Sequence, residues 1–155
     1  MIVLRAKPVK PTFTVSIIPC EFGVNDWCIH EGLAPTDYRA AVHLPEGVTI
    51  KEIGFAVQDI GGDVGSTAHV NMLLLRQHRN PTVASDKLIA SVSSAYFVSD
   101  GWSFSTPTDP NNPHRVVYND NSVYYGHLNF PANPTGDPNA HLWQFFSAYV
   151  KYQNP

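Results

Sequence analysis

Seven histidines in a chain of 155 residues are its most conspicuous chemical feature. Imidazole is the commonest protein metal ligand, and its charge changes near neutral pH. His69, His127 and His141 lie in stretches that alternate like strands, and His43 ends another such stretch. Histidines on neighbouring strands can meet across a sheet and hold a metal. Two ligands on one strand face need i, i+2 spacing, and no histidine pair has it. The expected role is a half-exposed strand residue whose ring nitrogens exchange hydrogen bonds, so no metal and no cofactor is expected. Asp59 and Asp63 flank a glycine pair, and Asp109 and Asp120 lie in other turn-like stretches. Calcium needs six to eight oxygens at about 2.3–2.6 Å, and no D-x-D-x-D-G run supplies them, so these aspartates are expected to form turns.

Aromatic residues are the other chemically capable set. Trp27, Trp102, Tyr124, Tyr125 and Trp143 could stack on sugar rings, or could fill a core. Tyr124 and Tyr125 are adjacent, so in a strand they point to opposite faces and one of them leaves the core. No G-x-S-x-G, H-E-x-x-H, phosphate loop or dinucleotide fingerprint occurs, so no catalytic residue is assigned. A dyad of Asp63 or Asp100 with His69 or His127 is the arrangement that distant strands could still assemble. Cys20 and Cys28 are too few for a structural zinc site. Their spacing leaves open a disulfide, in an oxidising compartment, or two separate thiols.

Composition narrows the partners. Charged residues make up 15% of the chain and hydrophobic ones 43%, with a net charge of −3. Lys and Arg form no cluster, so nucleic acid is not an expected partner. No apolar run has the length of a membrane span, so a membrane is not expected either. The first eight residues lack the apolar run of a signal peptide, so an export signal is expected either to have been removed or not to be used. Both N-x-T matches, at Asn80 and Asn133, carry the proline that blocks glycosylation.

The elements that would position these residues are strands. Thr12 to Ile18 and Tyr38 to Leu44 are rich in β-branched and aromatic residues. Leu44-Pro45-Glu46-Gly47-Val48-Thr49 is a turn. In Thr49 to Asp59 the apolar phase slips between Ile50 and Ile53, which predicts a bulge. Thr67 to His78 places Ala68, Val70, Met72 and Leu74 on one face, while Leu73 and Leu75 make its second half apolar on both. Leu88, Ala90, Val92, Ser94 and Tyr96 alternate next, and Trp102-Ser103-Phe104 follows a turn. Arg115 to Tyr118 and Ser122 to Phe130 are predicted to form a hairpin across Asn119-Asp120-Asn121. His141 to Tyr152 gives Leu142, Phe146, Ala148, Val150 and Tyr152 a shared parity. Thirteen prolines and ten glycines leave no room for a long helix. The expected fold is all-β, an antiparallel, jelly-roll-like β-sandwich of about eight strands over residues 13–155, preceded by an N-terminal arm, residues 1–12.

Several of these segments resemble a known pattern. Ala40 to Ile53, with its Leu44-Pro45-Glu46-Gly47 turn, is similar to a turn and strand of uncharacterised β-sandwich domains of secreted bacterial proteins. So are the aliphatic strand Val70 to Arg76, the segment Ala90-Ser91-Val92-Ser93-Ser94 and the ending Ala148-Tyr149-Val150-Lys151-Tyr152. The resemblance covers about residues 13–152. It implies a sandwich fold and an extracellular or cell-surface setting, and it transfers no catalytic residue. The loops around Asn111 and Asn133 are longer than in that pattern.

Three functions follow in order of expectation. The first is a non-enzymatic structural or interaction module, a self-assembling homo-oligomer subunit. Its apolar Ile2, Val3 and Leu4, on an arm stiffened by Pro8 and Pro11, would either fold back along its own sandwich edge or add as a strand to a neighbour's. The alternative is a domain that binds carbohydrate or another small neutral ligand. The second alternative is a His/Asp enzyme.

Overall fold

The structure is a computed structural model. It describes residues 10–18, 21, 29–31, 36–59, 69–80, 82–83, 86–94, 102–130 and 142–155, and within these the side chains of residues 29–31, 36, 59, 102, 142 and 143 are not described. Nine strands are described: β1 (Thr12–Ile17), β2 (Ile29–Glu31), β3 (Thr36–Ala41), β4 (Thr49–Asp59), β5 (Asn71–His78), β6 (Lys87–Ser93), β7 (Trp102–Pro107), β8 (Ser122–Phe130) and β9 (Leu142–Gln153). Among the described residues, helical structure is confined to a 3-10 turn at Pro113–Arg115 and the 3-10 residue Glu21.

The strands form two antiparallel sheets. One runs β1-β9-β4-β7, with β2 also on β9, and the other runs β3-β8-β5-β6. Late strands thus lie between early ones in both sheets, which is the jelly-roll arrangement expected from the sequence. Apolar side chains of alternating parity fill the space between the sheets: Ile53, Phe55 and Val57 from β4, Met72 and Leu74 from β5, Leu128 and Phe130 from β8, Phe145, Ala148 and Val150 from β9.

The turn into β4 follows the sequence. Gly47 takes φ +75°, the left-handed conformation that glycine adopts without steric cost. Its N–H donates to Val117 O at 3.0 Å, and Val117 N–H donates to Val48 O at 2.9 Å. The predicted bulge in β4 is present: the register with β9 slips between Ile50 and Glu52, so Ile50 and Ile53 both face the core.

Two further bulges overturn simple alternation. Leu74 pairs with Ala90 but Leu75 pairs with Leu88, so β6 carries an extra residue. Ile89 is consequently 3% exposed and Leu88 50% exposed, whereas alternation put Leu88 with Ala90 and Val92. On β9, Ala56 pairs with Ser147 and Val57 with Phe145. Phe145 turns in and Phe146 turns out at 45% exposure, reversing the expected parity of Phe146. Each bulge lies in an apolar doublet, where either residue can fill the core position.

Arg115 to Tyr118 is not the first arm of a hairpin. Asn112 Oδ1 accepts from His114 N at 2.9 Å and Pro113 opens the 3-10 turn, which takes up Arg115. Val116 makes only a bridge to Thr49, and Tyr118 N–H donates to the Tyr124 hydroxyl at 2.9 Å. Side-chain capping and a tyrosine hydroxyl therefore satisfy backbone groups that a hairpin ladder would have paired. The N-terminal arm up to residue 9, Cys20, Cys28, Asp63, Asp100 and His141 lie outside the described residues.

Candidate functional site

Polar residues gather on the outer face of the β3-β8-β5-β6 sheet. Strand parity puts every second residue there, and pairing aligns those residues in rows across the strands. One row is Asp37, Asn129, Asn71 and Ser93. The next is Arg39, His127, Leu73 and Ser91, and the third is Ala41, Tyr125, Leu75 and Leu88. A band of carboxylate, amide, hydroxyl, guanidinium and imidazole groups therefore borders a strip holding a tyrosine and aliphatic side chains.

The polar rows are preorganised by contacts within the sheet. The Asn129 amide donates to Asp37 Oδ1, and the Ser93 hydroxyl donates to Asn71 Oδ1. His127 Nε2 lies 3.2 Å from the same Asp37 oxygen. That nitrogen is buried and its N–H is not aligned on the carboxylate. The Asn129 amide chiefly, with His127 and Arg39 behind it, outweighs desolvation and holds the Asp37 carboxyl below its usual range.

Tyr125 is clamped from two sides. The Arg39 guanidinium lies 5.4 Å from its ring centroid, within cation–π range. Its hydroxyl donates to Asp86 Oδ2. Burial first, then the hydrogen bond and negative charge of Asp86, push its phenol up to about 12. The ring is thereby fixed without being enclosed, since Tyr125 remains half-buried.

At the end of this sheet a cavity of about 220 Å³ is lined by the segment from Ala41 to Leu44, the segment from Ser122 to Tyr124, Arg79 and Asn119. Beside it, Arg76 is fully engaged. It donates to Ser122 Oγ at 2.7 Å and Asn121 Oδ1 at 3.4 Å, contacts His114 Nδ1 at 3.3 Å, and lies 5.8 Å from the Tyr118 ring centroid.

The sequence-derived aromatic set divides in the structure. Tyr124 is 3% exposed, and its hydroxyl accepts from Tyr118 N, so it belongs to the core and reaches the outside only in the cavity wall. Tyr125 is the outward member of the pair. Trp102 and Trp143 lie in β7 and β9, but their side chains, and all of Trp27, are outside the described residues. Of the histidine–aspartate combinations, His127 meets Asp37, a partner the sequence did not suggest, and neither lines the cavity. No cluster of three or more His, Cys, Asp or Glu suited to a metal occurs among the described residues. Asp109 acts as a turn residue, its Oδ1 accepting from Asn111 N at 2.8 Å. No helix among the described residues is long and apolar enough to cross a membrane.

Asp37, Arg39, Asn71, Asn129 and Arg79 were not singled out from the sequence. The available signal was parity: in residues 37–41 and 123–129, the positions alternating with core residues are largely polar.

No family model matches the chain, and no curated protein matches it. Solved structures with a similar course include a xylan-binding module, CBM15, at TM-score 0.48 and 11% identity, covering 82% of this chain and 78% of that one. TmCBM61, solved with β-1,4-galactotriose, matches at TM-score 0.41 and 8% identity over 93% of this chain and 89% of that one. The Eiger TNF of S. frugiperda matches at TM-score 0.41 and 8% identity over 75% of this chain and 65% of that one. Likenesses this distant say nothing of ligand or activity.

Proposed function

We propose that the chain is a non-enzymatic module that binds carbohydrate through the outer face of the β3-β8-β5-β6 sheet. The observation that carries this reading is the row Asp37, Asn129, Asn71 and Ser93 beside the strip that holds Tyr125. Sugar hydroxyls both donate and accept. Carboxylate, amide and hydroxyl groups held in place by one another keep lone pairs and N–H groups for such a partner. A fixed aromatic ring offers the apolar C–H face of a sugar a surface to lie on, and its ordering entropy is already spent. Affinity electrophoresis against a panel of soluble polysaccharides tests the reading. At least one should retard the protein, and Asn71→Ala/Asn129→Ala should weaken that interaction about tenfold, the scale of one or two lost hydrogen bonds. No retardation by any member, or retardation indifferent to the double substitution, would refute it.

A second reading, a self-assembling interaction module, is supported by the apolar part of the same face. Leu88 is 50% exposed and Val123 41% exposed, beside Tyr125. Light scattering separates the two: a monomer at high concentration that binds polysaccharide supports the first, and an oligomer broken by Leu88→Asp supports the second.

A further inference from the structure

The cavity at the sheet's end holds an arginine whose guanidinium is only partly used. Arg79 N–H donates to Asn121 O at 2.8 Å, which fixes its backbone against the turn before β8. Its Nε donates to Ser122 O at 3.4 Å, and its two terminal nitrogens have no partner among the described residues. The contrast with Arg76, three positions earlier, is informative. All three of that guanidinium's nitrogens are engaged, so Arg76 serves the fold and Arg79 remains available.

The other polar groups around the cavity leave that arginine open. His43 is exposed on the wall formed beyond β3. The Asn119 amide is committed to Leu44 O at 2.8 Å, while its carbonyl oxygen has no described partner. The Glu46 carboxylate accepts the backbone N–H of Asn119. Cation and imidazole therefore face the cavity from two elements, and the neighbouring acid already holds a donor.

Position links the cavity to the face. Val42 N–H donates to Tyr124 O at 2.9 Å, extending the β3-β8 ladder past Ala41 and Tyr125. His43 and Val123 thus come one row beyond Tyr125, about 7 Å along the strands. At about 220 Å³ the cavity is smaller than the roughly 300–1,000 Å³ that encloses a whole small ligand. It suits one projecting group of a molecule whose remainder lies on the sheet.

We infer that the cavity receives the carboxylate of an acidic sugar, so that the ligand of the face is an acidic polysaccharide. This rests on the binding face proposed above. The planar Arg79 fork matches a carboxylate in two parallel N–H···O bonds, which a neutral hydroxymethyl group cannot reproduce.

Calorimetry with oligogalacturonate, an alginate oligomer and a hyaluronan oligomer, each beside its methyl-esterified counterpart, tests the inference. The ester keeps the shape and removes the charge. The unmodified protein should bind at least one acid about tenfold or more tightly than its ester, with a preference that shrinks as salt rises. Arg79→Gln should abolish that preference by lowering the affinity for the acid to about that for the ester. An unchanged circular dichroism spectrum and melting temperature would show that Arg79→Gln still folds, and His43→Ala provides a second variant. Equal affinity for acid and ester overturns the acidic-sugar inference. The binding face survives that result if Asn71→Ala/Asn129→Ala weakens both. Binding of no acid or ester overturns the inference together with the reading beneath it.

Discussion

The Tyr149 ring occupies the space that a side chain at Gly54 would fill. A Cβ at Gly54 would come within 2.5 Å of Tyr149 Cζ and 2.6 Å of its hydroxyl oxygen. The two residues pair directly across β4 and β9, on the sheet opposite the proposed binding face. The ring is anchored at its far end, where its hydroxyl donates to Glu52 Oε1 at 2.7 Å and Lys151 Nζ donates to the same oxygen at 3.0 Å. Glycine at a central strand position here serves close approach rather than flexibility.

Gly54→Ala should therefore lift the ring and break its bond to Glu52, at about 1–2 kcal/mol in urea unfolding. Because the clash is with the end of a side chain, Tyr149→Ala should remove most of that cost. The double mutant should then be less destabilised than the sum of the singles. Additive effects would show that the ring does not rest on Gly54.

The bulge in β6 yields a prediction opposite to that of alternation. Ile89→Ala should cost about 2–4 kcal/mol, and Leu88→Ala less than about 0.5 kcal/mol. Met72, 0% exposed near the start of β5, should cost about 2–5 kcal/mol when truncated to alanine. If Leu88→Ala were the costlier of the first two, β6 would carry no extra residue.

What the sequence made legible and what it hid can be traced to particular residues. The β4 bulge was visible because Ile50 and Ile53 cannot share a face without one. The bulges at Leu88-Ile89 and Phe145-Phe146 were hidden, because two adjacent apolar residues carry no parity. The Asn112-Pro113 cap looked like a loop, but its effect on Arg115 to Tyr118 depends on Tyr124 reaching back to the Tyr118 N–H. The binding face was hidden for a different reason. Asp37 and Asn129 are 92 positions apart, and only the β3-β8 pairing puts them in one row.

Alkaline titration should single out Tyr125. Its phenol ionises at about 12 in the fold, against an ordinary value of 10.0. Above the ordinary value the unfolded chain loses this proton first, so stability should fall as pH rises from 10.0 to about 12. Tyr125→Phe should flatten that part of the profile. An unchanged slope would mean that burial and the Asp86 contact together do not raise this phenol.

His114 should act at the acid side. Burial, and then the charges of Arg76 and Lys87, hold its imidazole below the ordinary 6.5. The unfolded chain binds this proton at a higher pH than the fold does. Stability should therefore be full above 6.5 and decline as pH falls through 6.5 toward the lower folded value. His114→Asn should reduce that decline, as read from melting temperatures across the range. A steeper decline in the variant would contradict the assignment.

Backbone amide chemical shifts, followed during titration with a polysaccharide that retards the protein, locate the bound ligand on the fold. Perturbations should concentrate at Asp37, Arg39, Asn71, Leu73, Tyr125, His127 and Asn129. The opposite sheet, around Gly54, Ser105 and Tyr149, should stay unperturbed. Shifts centred on that opposite sheet, or saturating binding with none on the β3-β8-β5-β6 face, would contradict it.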